Sequence, residues 1–83
     1  MHKERWSLKE MGPEIEQLCA DKADEFALYG YEHVTSREIW LCVSESYKET
    51  LPPLHRLVND ILSLKVTTFM NWMTANAYKG IDL

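Results

Sequence analysis

Two cysteines, three glycines and three prolines are scattered through 83 residues. Each scarcity closes off a class of function. Cys19 and Cys42 both sit within helical apolar patterns, which reads as two buried free thiols rather than a disulfide framework. A disulfide would require an oxidising compartment; no signal peptide is evident, so the expected compartment is the cytoplasm. Gly12, Gly30 and Gly80 each stand where a helix is expected to begin or end, so no glycine-rich phosphate loop is available. No apolar run approaches the roughly 18 residues of a membrane span. Repeats, low-complexity segments and strand patterning are missing too. His2, His33 and His55 do not pair with either cysteine at a metal-ligand spacing, and neither H-E-x-x-H nor C-x-x-C occurs. Without a catalytic constellation, and with little chain to enclose a substrate pocket, the expectation is a protein that is not an enzyme and holds no cofactor or metal.

Positive charge is also short. The chain carries 9 Lys and Arg against 13 Asp and Glu, a formal charge of −4. Residues 13–49 hold nine acids against three bases (Lys22, Arg37, Lys48), whereas residues 50–83 hold two acids against Arg56, Lys65 and Lys79. Affinity for nucleic acid rests mainly on neutralising phosphates. An acidic half with no basic cluster elsewhere argues against direct, unassisted nucleic-acid binding. The acids opposite the apolar face of the first helix read as a solvated surface, or as an electrostatic patch for a basic partner.

What is present is helical amphipathicity. The most regular stretch is Pro53–Lys65, whose Leu54, Leu57, Val58, Ile61 and Leu62 recur at the spacing of one helical face. It is the element around which the other segments are expected to pack. The expected fold is an all-α, compact four-helix domain with short loops, its helices near 13–29, 36–48, 53–64 and 68–79. Residues 13–83 form the single domain, and residues 1–12 form an N-terminal tail with at most one loose turn. Ser7 and Glu10 have capping-box spacing, and Trp6 is free to dock on the domain or on a partner. Pro13 suits the first position of helix 1, and Gly30 suits a left-handed stop after Tyr29. Lys22 falls in the apolar stripe and is expected to lay its stem on the core while its ammonium reaches water. Thr35-Ser36-Arg37-Glu38 is a well-formed capping box for helix 2, with Val34 and Ile39 as hydrophobic staple. Pro52-Pro53 ends whatever precedes helix 3, and Thr67 suits the cap of helix 4. Leu41 points away from the core face of helix 2.

Two blocks carry a resemblance. The first is Glu25-Phe26-Ala27-Leu28-Tyr29-Gly30-Tyr31-Glu32-His33-Val34-Thr35-Ser36-Arg37-Glu38-Ile39-Trp40. The second is Leu54-His55-Arg56-Leu57-Val58-Asn59-Asp60-Ile61-Leu62-Ser63-Leu64-Lys65, continuing to Phe69-Met70-Asn71-Trp72 and Ala77-Tyr78-Lys79. Together, over about residues 20–80, they resemble the ComN-type post-transcriptional regulators of Bacillus-like bacteria. The resemblance implies a cytoplasmic regulator that acts after transcription on late competence genes. It further implies an association with DivIVA, a polar and septal coiled-coil scaffold, and hence a place at the cell pole or septum. It brings no catalytic residues.

Once the residues with plain fold roles are set aside, Arg56, Asn59, Asp60 and Ser63 remain on helix 3, and Asn71, Thr74 and Tyr78 on helix 4. If those helices are neighbours, these residues form one partner-binding surface, with Leu41 or Trp72 as apolar anchor. The alternative is that Asn59 and Asp60 bond internally to nearby helix ends. Three functional readings stay open: an adaptor that controls or localises competence mRNA through a protein partner, a direct RNA-binding module, and a homo-oligomeric interaction domain, such as a homodimer, of unrelated role.

Overall fold

A computed structural model describes residues 6–80, with side chains through residue 76. A short 3-10 turn, Leu8–Met11, precedes four helices: α1 (Pro13–Leu28), α2 (Ser36–Ser44), α3 (Leu54–Leu62) and α4 (Val66–Gly80). No strand occurs among the described residues. The fold is all-α, as the periodicity predicts.

Local chemistry sets most of the helix ends. Gly12, at φ +97°, turns the chain between the 3-10 turn and α1, and Pro13 opens α1. At the other end Gly30, at φ +100°, adopts the left-handed conformation. The Tyr31 amide then reaches back to the Phe26 carbonyl at 3.1 Å and the Gly30 amide to the Ala27 carbonyl at 3.0 Å, which together make a Schellman stop. The α2 capping box forms in both directions. The Thr35 hydroxyl accepts from the Glu38 amide at 3.2 Å, and the Glu38 carboxylate accepts from the Thr35 amide at 3.0 Å.

α2 ends four residues earlier than its sequence pattern predicts. The Ser44 and Ser46 hydroxyls donate to the carbonyls of Leu41 and Val43, local bonds that compete with helix continuation. The chain turns there and carries Tyr47 into the core. α4 starts two residues earlier than expected. The Phe69 amide bonds the Lys65 carbonyl at 3.0 Å, so Thr67 lies inside the helix and is not its cap.

The hub of the core is α1 rather than α3. It packs against the 3-10 turn, α2 and α3, and it buries Ile15, Cys19, Lys22, Ala23 and Phe26. Around it lie Ile39, Trp40 and Val43 of α2, Leu57 and Ile61 of α3, and Phe69 of α4. The Phe26 and Phe69 rings meet at 5.5 Å between centroids, within the range of favourable aromatic pairs. The expectation that all five apolar residues of α3 face the core does not hold. Leu57 and Ile61 are buried and Val58 partly so, while Leu54 and Leu62 are exposed.

Residues 6–12 are part of the packing rather than a loose tail. The Ser7–Glu10 capping box forms, Leu8 is buried in the core, and the Trp6 ring stands edge-on to Tyr47 at 6.4 Å. The Trp40 indole nitrogen donates to the Trp6 carbonyl at 2.5 Å. A buried indole N–H needs such an acceptor, and the segment before Pro13 supplies it.

Candidate functional site

The polar residues singled out on α3 are largely engaged with the fold. Arg56 pairs with Asp60 one turn later, Nε to Oδ2 at 3.4 Å. The same Asp60 oxygen accepts from the Tyr47 hydroxyl at 2.6 Å, so Asp60 ties α3 to the segment that follows α2. Burial, the bond donated to Asp60 and the charge of Asp60 push the Tyr47 phenol well above its ordinary value, against a smaller lowering by Arg56. Ser63 turns its hydroxyl onto the Asn59 carbonyl at 2.7 Å, and its amide bonds the same carbonyl at 2.9 Å. Both close the C-terminal end of α3. The Asn59 side chain is exposed.

On α4, Asn71 and Thr74 are exposed, and the Thr74 hydroxyl donates to the Met70 carbonyl at 2.9 Å. Trp72 packs on Phe69 at 5.7 Å between ring centroids, and its indole N–H bonds the Glu45 carboxylate. Its ring therefore links α4 to the end of α2. Leu41 is half-buried rather than exposed. The Tyr78 side chain lies outside the described residues. α3 and α4 share little direct contact among the described residues: α3 packs on α1 and α2, and α4 on α2. The polar sets of the two helices are thus not joined through a common interface.

Lys22 departs most from expectation. Its ammonium does not reach water: the residue is 5% exposed, and Nζ donates to the Leu62 carbonyl at 2.8 Å and pairs with the Glu25 carboxylate at 3.2 Å. The last carbonyls of a helix lack intrahelical donors and carry partial negative charge. A cation placed there both satisfies a carbonyl and offsets the helix dipole. Lys22 therefore binds α1 to the C-terminus of α3.

The thiols are chemically quiet. Burial, with a smaller contribution from nearby Glu16, pushes Cys19 up to about 12. Burial and Glu45 push Cys42 up to about 11. At neutral pH both thiols stay protonated, the poorly nucleophilic form. Among the described residues no cluster of His, Cys, Asp or Glu could hold a metal ion, and no helix is long and apolar enough to cross a membrane.

The fold also leaves an apolar surface in water that is no part of the polar set. Leu28, Tyr29, Leu54 and Leu62 are more than half exposed. A signal for α3 was present: at 100° per residue its five apolar residues spread over an arc of roughly 140°, wider than one packed neighbour covers.

A family profile described as post-transcriptional regulator matches residues 8–83, nearly the whole chain. The chain belongs to the post-transcriptional regulator family. A relative within reach of direct alignment is the post-transcriptional regulator ComN of Bacillus subtilis (strain 168), 33% identical over 67 residues, covering 78% of this chain and 68% of the relative. No solved structure matches the chain significantly. The family match opens at Leu8, inside the 3-10 turn. In this post-transcriptional regulator family the matched region thus includes the buried Leu8 that packs with α1, while Trp6, whose carbonyl accepts from Trp40, lies just before it.

Proposed function

We propose that the chain is a non-catalytic adaptor that regulates mRNA by binding a protein partner. The observation that carries this reading is the disposition of charge. α1 exposes Glu14, Asp21, Asp24 and Glu25, which repel phosphate. Two cations already have partners: the buried Lys22 bonds Leu62 and Glu25, and the exposed Arg56 pairs with Asp60. Single-stranded RNA is also held by stacking on aromatic side chains, worth about 1–3 kcal/mol per base. Trp6 and Trp72 are packed against Tyr47 and Phe69, and the exposed Tyr29 and Tyr31 lie at the end of the acidic helix. The name of the relative, post-transcriptional regulator ComN, supports regulation after transcription. The resemblance points to competence messages as the target and to a DivIVA-type polar scaffold as the partner, with a position at the pole or septum.

The test is a titration of labelled single-stranded RNA at physiological salt, repeated with Arg56→Glu and Lys79→Glu. Binding weaker than about 10 μM, unchanged by either substitution, is expected of a surface that neutralises few phosphates. Submicromolar binding abolished by those changes would replace the adaptor with an RNA-binding module.

A further inference from the structure

The exposed leucines have a definite arrangement. Leu54, Val58 and Leu62 stand at i, i+4 and i+8 on α3, forming a ridge about 12 Å long at 1.5 Å per residue. Leu54 is 61% exposed, Leu62 57%, and Val58 is half-buried between them. At the Leu62 end the ridge meets α1. Lys22 bonds the Leu62 carbonyl and Glu25 pairs with that lysine, so the Glu25 carboxylate lies beside the ridge.

We infer that the Leu54–Val58–Leu62 ridge, with the Glu25 end of α1 beside it, docks a basic amphipathic helix of a partner protein. The inference rests on the adaptor reading and names the surface and the chemistry of the partner. A ridge two helical turns long suits the i, i+4, i+7 anchors of a helix laid along it. Charge selects the sign of that helix. Asp21, Asp24 and the Lys22-paired Glu25 are exposed on the adjoining α1, and against them stand the exposed Lys65, three residues after Leu62, and Arg56, which pairs with Asp60. An isologous contact with a second copy would bring each acidic α1 towards its symmetry mate. Anionic lipid and RNA meet the same repulsion. A helix with leucines on one side and lysines or arginines on its flanks meets both the apolar ridge and the acidic rim, and the charges also speed encounter.

The test uses the full chain, isotopically labelled, and two synthetic peptides of about fourteen residues: an amphipathic leucine–lysine helix, and a control with serine in place of leucine. Amide shift mapping is expected to place the leucine–lysine peptide on residues 54–62 and 21–25. Leu62→Asp, confirmed as folded by circular dichroism, is expected to weaken binding at least about tenfold, although it adds a charge that would favour a cationic peptide. Asp21→Lys with Asp24→Lys is expected to weaken it and to flatten its salt dependence. Equal binding of the serine control, indifference to Leu62→Asp, or no binding would overturn the assignment. So would a Leu62-dependent dimer by sedimentation, or Leu62-dependent binding to phosphatidylglycerol vesicles. These outcomes are separable from failure of the adaptor reading. Loss of the ridge with RNA binding still weak leaves an adaptor that uses another surface. Submicromolar RNA binding removes the adaptor whatever the peptide does.

Discussion

α1 and α3 are both amphipathic, both have proline at their start, and they pack against each other, yet they are buried to different degrees. α1 buries five residues, one of them a lysine; α3 buries two, although its apolar pattern is the more regular. The difference lies in their neighbours. α1 is covered by the 3-10 turn, α2 and α3, whereas α3 has α1 and α2 on one side and an uncovered flank on the other. Of the two, the helix with more neighbours buries more, and the apolar residues left over on the other become a surface. Lys22 sharpens the contrast: a charged residue is fully enclosed on α1 while two leucines stay in water on α3.

The largest effect that separates the two helices is expected from core truncation. Phe26→Ala should cost about 3–5 kcal/mol and Ile61→Ala about 2–4 kcal/mol in denaturant melts, the range for emptying a packed site. A cost for Ile61→Ala within error would mean that α3 is not held on the core at all. Next is the junction between them. Lys22→Met keeps the stem and removes the donor, leaving the Leu62 carbonyl without its partner, and should cost about 1–3 kcal/mol. A cost near zero would show that packing alone joins α1 to α3.

A pH titration examines the α1 core from another side. In the unfolded chain Cys19 ionises near 9.0, and in the fold near 12. Folding therefore holds the thiol protonated. That contribution is fully present below pH 9 and is lost as pH rises from 9 towards 12. Each pH unit in that window costs about 1.4 kcal/mol per proton, so by pH 10 a loss of about 1–2 kcal/mol is expected. Cys19→Ala should flatten the slope, and Tyr47 adds a loss of the same sign above pH 10. A slope indifferent to Cys19→Ala would place that thiol in contact with water. The smallest effect is expected at the ridge: Leu62→Ala should change stability by no more than about 0.5 kcal/mol, as for other exposed positions. A cost comparable with that of Ile61→Ala would mean the ridge is covered in solution.

What was legible in the sequence was local. Thr35 and Glu38 close a capping box within four residues, Gly30 supplies a positive φ where α1 must stop, and Pro13 enters α1 without losing a needed donor. Each feature depends on atoms a few residues apart, so chain order contains it. The all-α class follows because the apolar residues recur at helical spacing. The candidate site was less legible. Asp60 of its polar set and Trp72, its apolar anchor, find their partners 13 and 27 residues away, a relation that helical periodicity does not encode.

By itself, then, the sequence determined the helices, most of their ends and the acidity of α1. Tertiary structure alone decided that α1 is the hub, that the Trp6 carbonyl accepts from Trp40, and that Lys22 caps a helix 40 residues along the chain. It also decided that Leu54 and Leu62 remain outside. The reason is physical. Hydrogen bonds within a turn act over a few ångströms of the same chain. Burial is instead a competition among all apolar faces for a core that 83 residues keep small, and which face loses is settled only when the helices pack.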